Sequence, residues 1–156
     1  MKTRSNLLVV IFCSIILFAC SKDEVLPYKM TATIGGVEWK TRVPAGYQKG
    51  DIFTIQGTSM DGKIIVLTIN GSEAKTYNLD LVSFQAQCTI LYKESASTSD
   101  EDAYSGTEGS ITVTGINTSK KQISGTFEFT LRKISDITQT LRISNGVFDE
   151  VRYTIQ

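Results

Sequence analysis

Ile123-Ser124-Gly125-Thr126-Phe127-Glu128-Phe129-Thr130-Leu131-Arg132 is the stretch that decides the fold. Ile123, Gly125, Phe127, Phe129 and Leu131 share one parity, and Ser124, Thr126, Glu128, Thr130 and Arg132 share the other. Strand side chains alternate between two faces, whereas a helix repeats every 3.6 residues, so this pattern specifies a strand with one buried face. Gly125 stands in the apolar set without a side chain. It predicts a kink, a bulge or the close approach of another group.

Working outward, Ser110 to Thr114 alternates in the same way, and a turn is expected from Asn117 to Lys121. Thr140 to Ser144 reads as a strand, Asn145-Gly146 as a type I′ hairpin turn, and Val147 to Ile155 as the final strand. Phe148 is out of phase with Val151, Tyr153 and Ile155, which predicts a bulge at Asp149-Glu150. Towards the N-terminus, Met30, Ala32 and Ile34 alternate with threonines, Gly35-Gly36 gives a hairpin signal, and Val37-Glu38-Trp39 resumes the alternation. The breakers Pro44, Gly46 and Gly50 make residues 43–50 a loop. Asp51 to Ser59 is a strand and Met60 to Lys63 a turn. Ile64 to Ile69 is so rich in β-branched residues that a central strand, covered on much of both faces, is expected. Thr76 to Leu79 and Gln87 to Tyr92 are short strands, and residues 94–109, poor in apolar side chains, form an exposed loop. No stretch after Cys20 has a helical period. About ten strands joined by Gly and Asn turns imply an all-β fold, either an antiparallel β-sandwich or a flattened β-barrel.

Ahead of this domain, Met1-Lys2-Thr3-Arg4 is a basic leader and Leu7 to Phe18 is mostly apolar. That layout is a secretory signal peptide, too short for a membrane span of about 20 apolar residues. It ends in Leu17-Phe18-Ala19-Cys20, which resembles the lipobox of bacterial lipoproteins. The resemblance implies that residues 1–19 are removed, that Cys20 is lipidated, and that residues 20–27 tether a single β domain, residues 28–156, to the membrane. Lys2 and Arg4 leave with the leader, so 14 of the 16 basic residues remain against 16 acidic ones, a net charge of −2. Nucleic-acid binding needs a basic stripe, and none is present. Ser21-Lys22-Asp23-Glu24 resembles the export signal that carries many Bacteroidota lipoproteins to the cell surface, so an outer-membrane location is expected.

A wider resemblance rests on Met30-Thr31-Ala32-Thr33-Ile34-Gly35-Gly36-Val37-Glu38-Trp39, on Ile123 to Phe129, and on Ile143-Ser144-Asn145-Gly146-Val147-Phe148-Asp149. These segments are similar to an uncharacterised family of Bacteroidota lipoproteins. They are strand and turn signatures, so they imply fold and location and transfer no catalytic residue.

The chemistry on offer is sparse. Cys88 is the one thiol left after Cys13 departs and Cys20 is acylated, so an internal disulfide is excluded, and it reads as a small half-buried residue. The chain has no histidine to activate it. Asp100-Glu101-Asp102 could attract calcium but lacks the glycine and distal glutamate of an EF-hand loop, and reads as solvated charge. Asp149 and Glu150 are strand neighbours pointing to opposite faces, so they cannot act as a glycosidase pair unless a bulge turns one of them. No nucleophile elbow, phosphate loop, metal-ligand spacing or cofactor motif is present. Trp39, the single tryptophan, is read first as a core anchor, and with Tyr47, Tyr92 and Tyr104 it could also supply a stacking platform for a sugar. The expected function is a lipid-tethered cell-envelope module that binds a glycan, a small ligand or an envelope protein without catalysis. The alternative is a carboxylate-dependent hydrolase acting on a glycan.

Overall fold

The computed structural model of the protein describes residues 26–156. The leader, Cys20 and the Ser21-Lys22-Asp23-Glu24 segment lie outside the described residues. Within them the chain forms eleven strands and no helix: β1 (Met30–Ile34), β2 (Val37–Thr41), β3 (Ala45–Lys49), β4 (Ile52–Thr58), β5 (Ile64–Asn70), β6 (Thr76–Asp80), β7 (Gln85–Ala86), β8 (Cys88–Lys93), β9 (Tyr104–Asn117), β10 (Gln122–Lys133) and β11 (Thr140–Ile155). The alternating stretch is β10, and Ile123, Gly125, Phe127, Phe129 and Leu131 all face the core.

The ladders close on themselves. β3, β4, β5, β8, β9, β10 and β11 pair in that order, and β11 pairs with β3 to complete a seven-stranded ring. Two of the junctions are short. β8 meets β9 only through Leu91↔Ser105 and Tyr92↔Tyr104, and β11 meets β3 in parallel through Tyr153 to Ile155. The four remaining strands fill the space beside these seams. The β1–β2 hairpin lies along β11 between Ile143 and Phe148, where β3 is absent, and the β6–β7 hairpin lies along β9 from Glu108 to Thr112, beyond the reach of β8. Gly35 and Gly36, at φ 56° and 87°, make the β1–β2 turn that needs two left-handed residues.

One apolar cluster fills the interior. Phe53 and Tyr153 meet edge to face at 5.0 Å, and Phe127 packs on Phe148 at 6.4 Å. Gly125 admits the Phe148 ring, because a Cβ there would collide with that ring and with the Thr112 carbonyl. The expected close approach is therefore real, and β11 bulges opposite it. Between the pairs Ile123↔Val151 and Gly125↔Phe148 the partner strand carries one residue more, so Phe148 and Val151 both point inward and Glu150 takes a positive φ of 47°.

Four expectations are corrected. Residues 43–50 are not all loop, because Ala45–Lys49 is β3. Its Gly46 lets the backbone press against β11, where a Cβ would sit 2.9 Å from that of Tyr153. Only residues 94–103 of the expected 94–109 loop lack strand structure. β9 starts at Tyr104, and it is poor in apolar residues because it packs through glycine: Gly106 lies against Ile90 and Leu79. Asn145-Gly146 does not reverse the chain. Asn145 has the left-handed backbone that a hairpin would use, at φ 51°, but β10 pairs on both sides of it, and the extra residue becomes a second bulge in β11. Ile155 keeps the core parity of Tyr153 yet is 62% exposed, because it lies at the end of the barrel. The central position of β5, between β4 and β8, is as expected, with Ile64, Val66 and Thr68 half-buried on its outer side.

Candidate functional site

The outer sides of β9, β10 and β11 carry the polar parity of each strand, and the ladder register arranges these residues in rows. Thr76, Thr112, Thr126 and Val147 stand side by side across β6, β9, β10 and β11, and the hydroxyls of Thr76 and Thr112 lie 2.9 Å apart. One row on, Asn78, Ser110 and Glu128 are neighbours, and beyond them come Asp80, Glu108, Thr130 and Arg142. The bulges of β9 and β11 break the flatness of this face. Two hollows result, both bordered by Glu128. One of about 260 Å³ is lined by Glu108, Gly109, Glu128, Phe129, Thr130 and Arg142. The other, of about 400 Å³, runs along Ser110, Thr112, Thr126, Asn145 and Val147.

Glu108 faces Thr130 across the ladder and Glu128 faces Ser110, so the two glutamates are diagonal neighbours on one face. Diagonal positions lie about 7–8 Å apart, so the two side chains share one neighbourhood of the face. Arg142 stands opposite Thr130 from the other side. None of the ion pairs among the described residues uses Glu108, Glu128 or Arg142. The hollow thus offers two carboxylates, a guanidinium and the Thr130 hydroxyl to solvent. It can donate and accept hydrogen bonds at once, as a polyhydroxylated ligand requires.

Trp39 is the core anchor of its first reading, and the four aromatic residues that could have supplied a platform do not assemble into one. Trp39 is buried, its indole N–H donating to the Lys63 carbonyl at 3.1 Å, and its ring covers Gly57. Tyr92 is also buried and tilts against half-buried Tyr104 with centroids 6.0 Å apart, while the Tyr104 hydroxyl donates to Gln139 at 3.3 Å. Tyr47 alone turns outward, 40% exposed on β3.

Two members of the acidic trio are engaged internally. Asp100 pairs with Lys93 and Asp102 with Lys133, and hydrogen bonding by those lysines, with serines beside Asp102, holds both carboxyls below the usual range. Among the described residues no group of three acidic, thiol or imidazole side chains is arranged to hold a metal ion. The bulge leaves Asp149 and Glu150 both exposed. Glu150 pairs with Lys29 at 3.1 Å, and Asp149 accepts from the Ser124 hydroxyl at 3.3 Å. Cys88 is fully buried, more than its half-buried reading implied, and its thiol donates to the Tyr77 carbonyl. Burial pushes that thiol up to about 11, which suppresses the nucleophilic thiolate.

Glu108, Glu128 and Arg142 were not singled out by sequence. The outward phase of Glu128 was legible in β10, but Glu108 fell in a segment read as loop, so the pair could not be formed on paper.

The fold and its outer face define a class: an all-β barrel domain with a closed apolar interior and a polar, solvent-facing hollow. The chain belongs to the family described as Domain of unknown function (DUF6252), which matches residues 29–152. No curated protein and no solved structure matches it.

Proposed function

We propose that the protein is a lipid-anchored cell-envelope lipoprotein of the outer membrane whose barrel binds a glycan. The observation that carries this reading is the hollow between Glu108, Glu128, Thr130 and Arg142, where charged and hydroxyl groups face solvent without ionic partners. A protein tethered through Cys20 meets polysaccharides throughout the envelope, and such a hollow suits a ligand rich in hydroxyls. Titration calorimetry with soluble fragments of envelope polysaccharides tests it. Arg142→Ala and Glu128→Gln each remove a charged hydrogen-bonding group, so each should weaken binding about tenfold at roughly 1.4 kcal/mol per group. Wild-type protein that binds none of the fragments, or variants that bind as wild type does, would defeat the reading.

The diagonal spacing of Glu108 and Glu128 keeps a second reading in view, a glycan hydrolase. An acid catalyst is made by burying one carboxyl, whereas both glutamates here are exposed. Binding therefore takes precedence. Slow release of reducing ends from a bound fragment, abolished in Glu128→Gln with binding retained, would reverse that order.

A further inference from the structure

We propose that the hollow over Gly115, where the end of β9 meets the start of β10, is a binding site for a phosphate ester of a small polyol. It is separate from the two hollows beside Glu128 and does not depend on what they bind.

The observation that carries it is Gly115 itself. Glycine weakens a strand interior, and its usual reasons there are a left-handed backbone, a close-packed neighbour or the approach of a ligand. The chain has 12 glycines, and all but one have the first or second reason. Gly35, Gly36, Gly50 and Gly62 have left-handed φ, and at seven others an added Cβ would lie under 3.0 Å from another atom. Gly115 has neither. Its φ is not positive, and a Cβ there would meet nothing within 4 Å. The missing side chain leaves an open volume of about 420 Å³, bounded by Asn117, Thr118, Lys120, Gln122, Ser124 and Glu150. Small-molecule sites occupy roughly 300–1,000 Å³.

The groups left free select the ligand. Ser124, opposite Gly115 in the β9–β10 ladder, is occupied: its hydroxyl donates to Asp149 at 3.3 Å and accepts from the Glu150 N–H at 2.8 Å. Glu150 is neutralised by Lys29 at 3.1 Å. Lys120 takes part in none of the ion pairs among the described residues. Its turn is set before any ligand arrives. The Lys120 N–H donates to the Asn117 side-chain carbonyl at 2.9 Å, and Lys121 holds a left-handed backbone at φ 53°, where glycine or asparagine is usual. Around the hollow, Lys29, Lys120, Lys121 and Arg152, which pairs with Gln122, outnumber Asp149 and Glu150 by two, in a chain whose formal net charge is zero. That local surplus favours an anion. The side chains of Thr118 and Gln122 take no hydrogen-bond partner among the described residues, and both can donate and accept. A phosphate against Lys120, with its polyol hydroxyls on Thr118 and Gln122, engages each of these free groups.

Titration calorimetry of the whole protein in neutral detergent tests this, with glycerol phosphate, glucose phosphate, inorganic phosphate and glucose as probes. Both esters should bind, more tightly than inorganic phosphate, and glucose should not. Added salt should weaken the esters, because the lysine is exposed. Gly115→Val should abolish binding and raise the urea midpoint, since valine suits a strand and its side chain enters empty space. Lys120→Gln should weaken binding about tenfold and leave the midpoint unchanged. Vesicles distinguish the source of the ester. Competition by phosphatidylglycerol vesicles, but not by phosphatidylcholine vesicles, identifies a lipid headgroup, whereas ester binding that neither vesicle disturbs identifies a free solute; either result upholds the site. Esters that do not bind, glucose or inorganic phosphate that binds as tightly as they do, or ester binding that survives both Gly115→Val and Lys120→Gln would overturn the proposal.

Discussion

At the scale of single residues, two buried ionisable side chains give the barrel an alkaline limit. Desolvation raises the Cys88 thiol from 9.0 to about 11, and desolvation, with nearby acidic groups, raises the Tyr92 phenol from 10.0 to about 12. Both groups keep their protons in the folded state at pH values where the unfolded chain has lost them. Their contribution is therefore complete below the unfolded values and falls as pH climbs through the raised ones. Urea midpoints should hold steady to about pH 8 and decline steadily from about pH 9 to about pH 12. In Cys88→Ala the decline between about pH 9 and about pH 11 should be shallower, whatever the change in absolute stability. An identical slope in the variant would show that the thiol does not contribute.

At the scale of the element, β10 bears the clearest division of labour. Phe127 and Phe129 are buried against Phe148 and the inner side of β9, whereas Thr126 and Thr130 look outward. Phe127→Ala or Phe129→Ala should cost about 3–5 kcal/mol through lost burial and the cavity left behind. Thr126→Ala should cost about 0.5 kcal/mol, as is usual for exposed positions. Chemical denaturation of the three variants checks the contrast. Comparable losses on both faces would mean that something covers the outer side of β10, contrary to the open hollow described above.

At the scale of the whole molecule, the expected behaviour depends on segments outside the described residues. Cys20→Ala should abolish incorporation of a fatty-acid label, while replacement of Lys22, Asp23 and Glu24 by alanine should leave lipidation intact and move the barrel to the periplasmic side. Proteinase added to intact cells distinguishes the two sides. Wild-type protein protected under conditions that shave a surface protein would remove the export role of those three residues. The barrel should fold in every case, because its core draws on strands from β1 onward.

The sequence by itself determined the strand identity of β10, the β1–β2 turn, the inward parity of Phe127 and Phe129, the bulge at Asp149-Glu150 and the absence of helix among the described residues. Each of these is local, set by alternation or by left-handed turn residues within a few positions. The tertiary structure decided what depends on register between distant strands. It placed Glu108 diagonal to Glu128, buried Tyr92, and turned Asn145-Gly146 from a reversal into a bulge. It also made strands of Ala45–Lys49 and of the first residues of β9, where glycines stand in place of apolar side chains. A glycine that permits close approach reads as a breaker until the backbone it admits is known, and that backbone belongs to a strand far away in sequence.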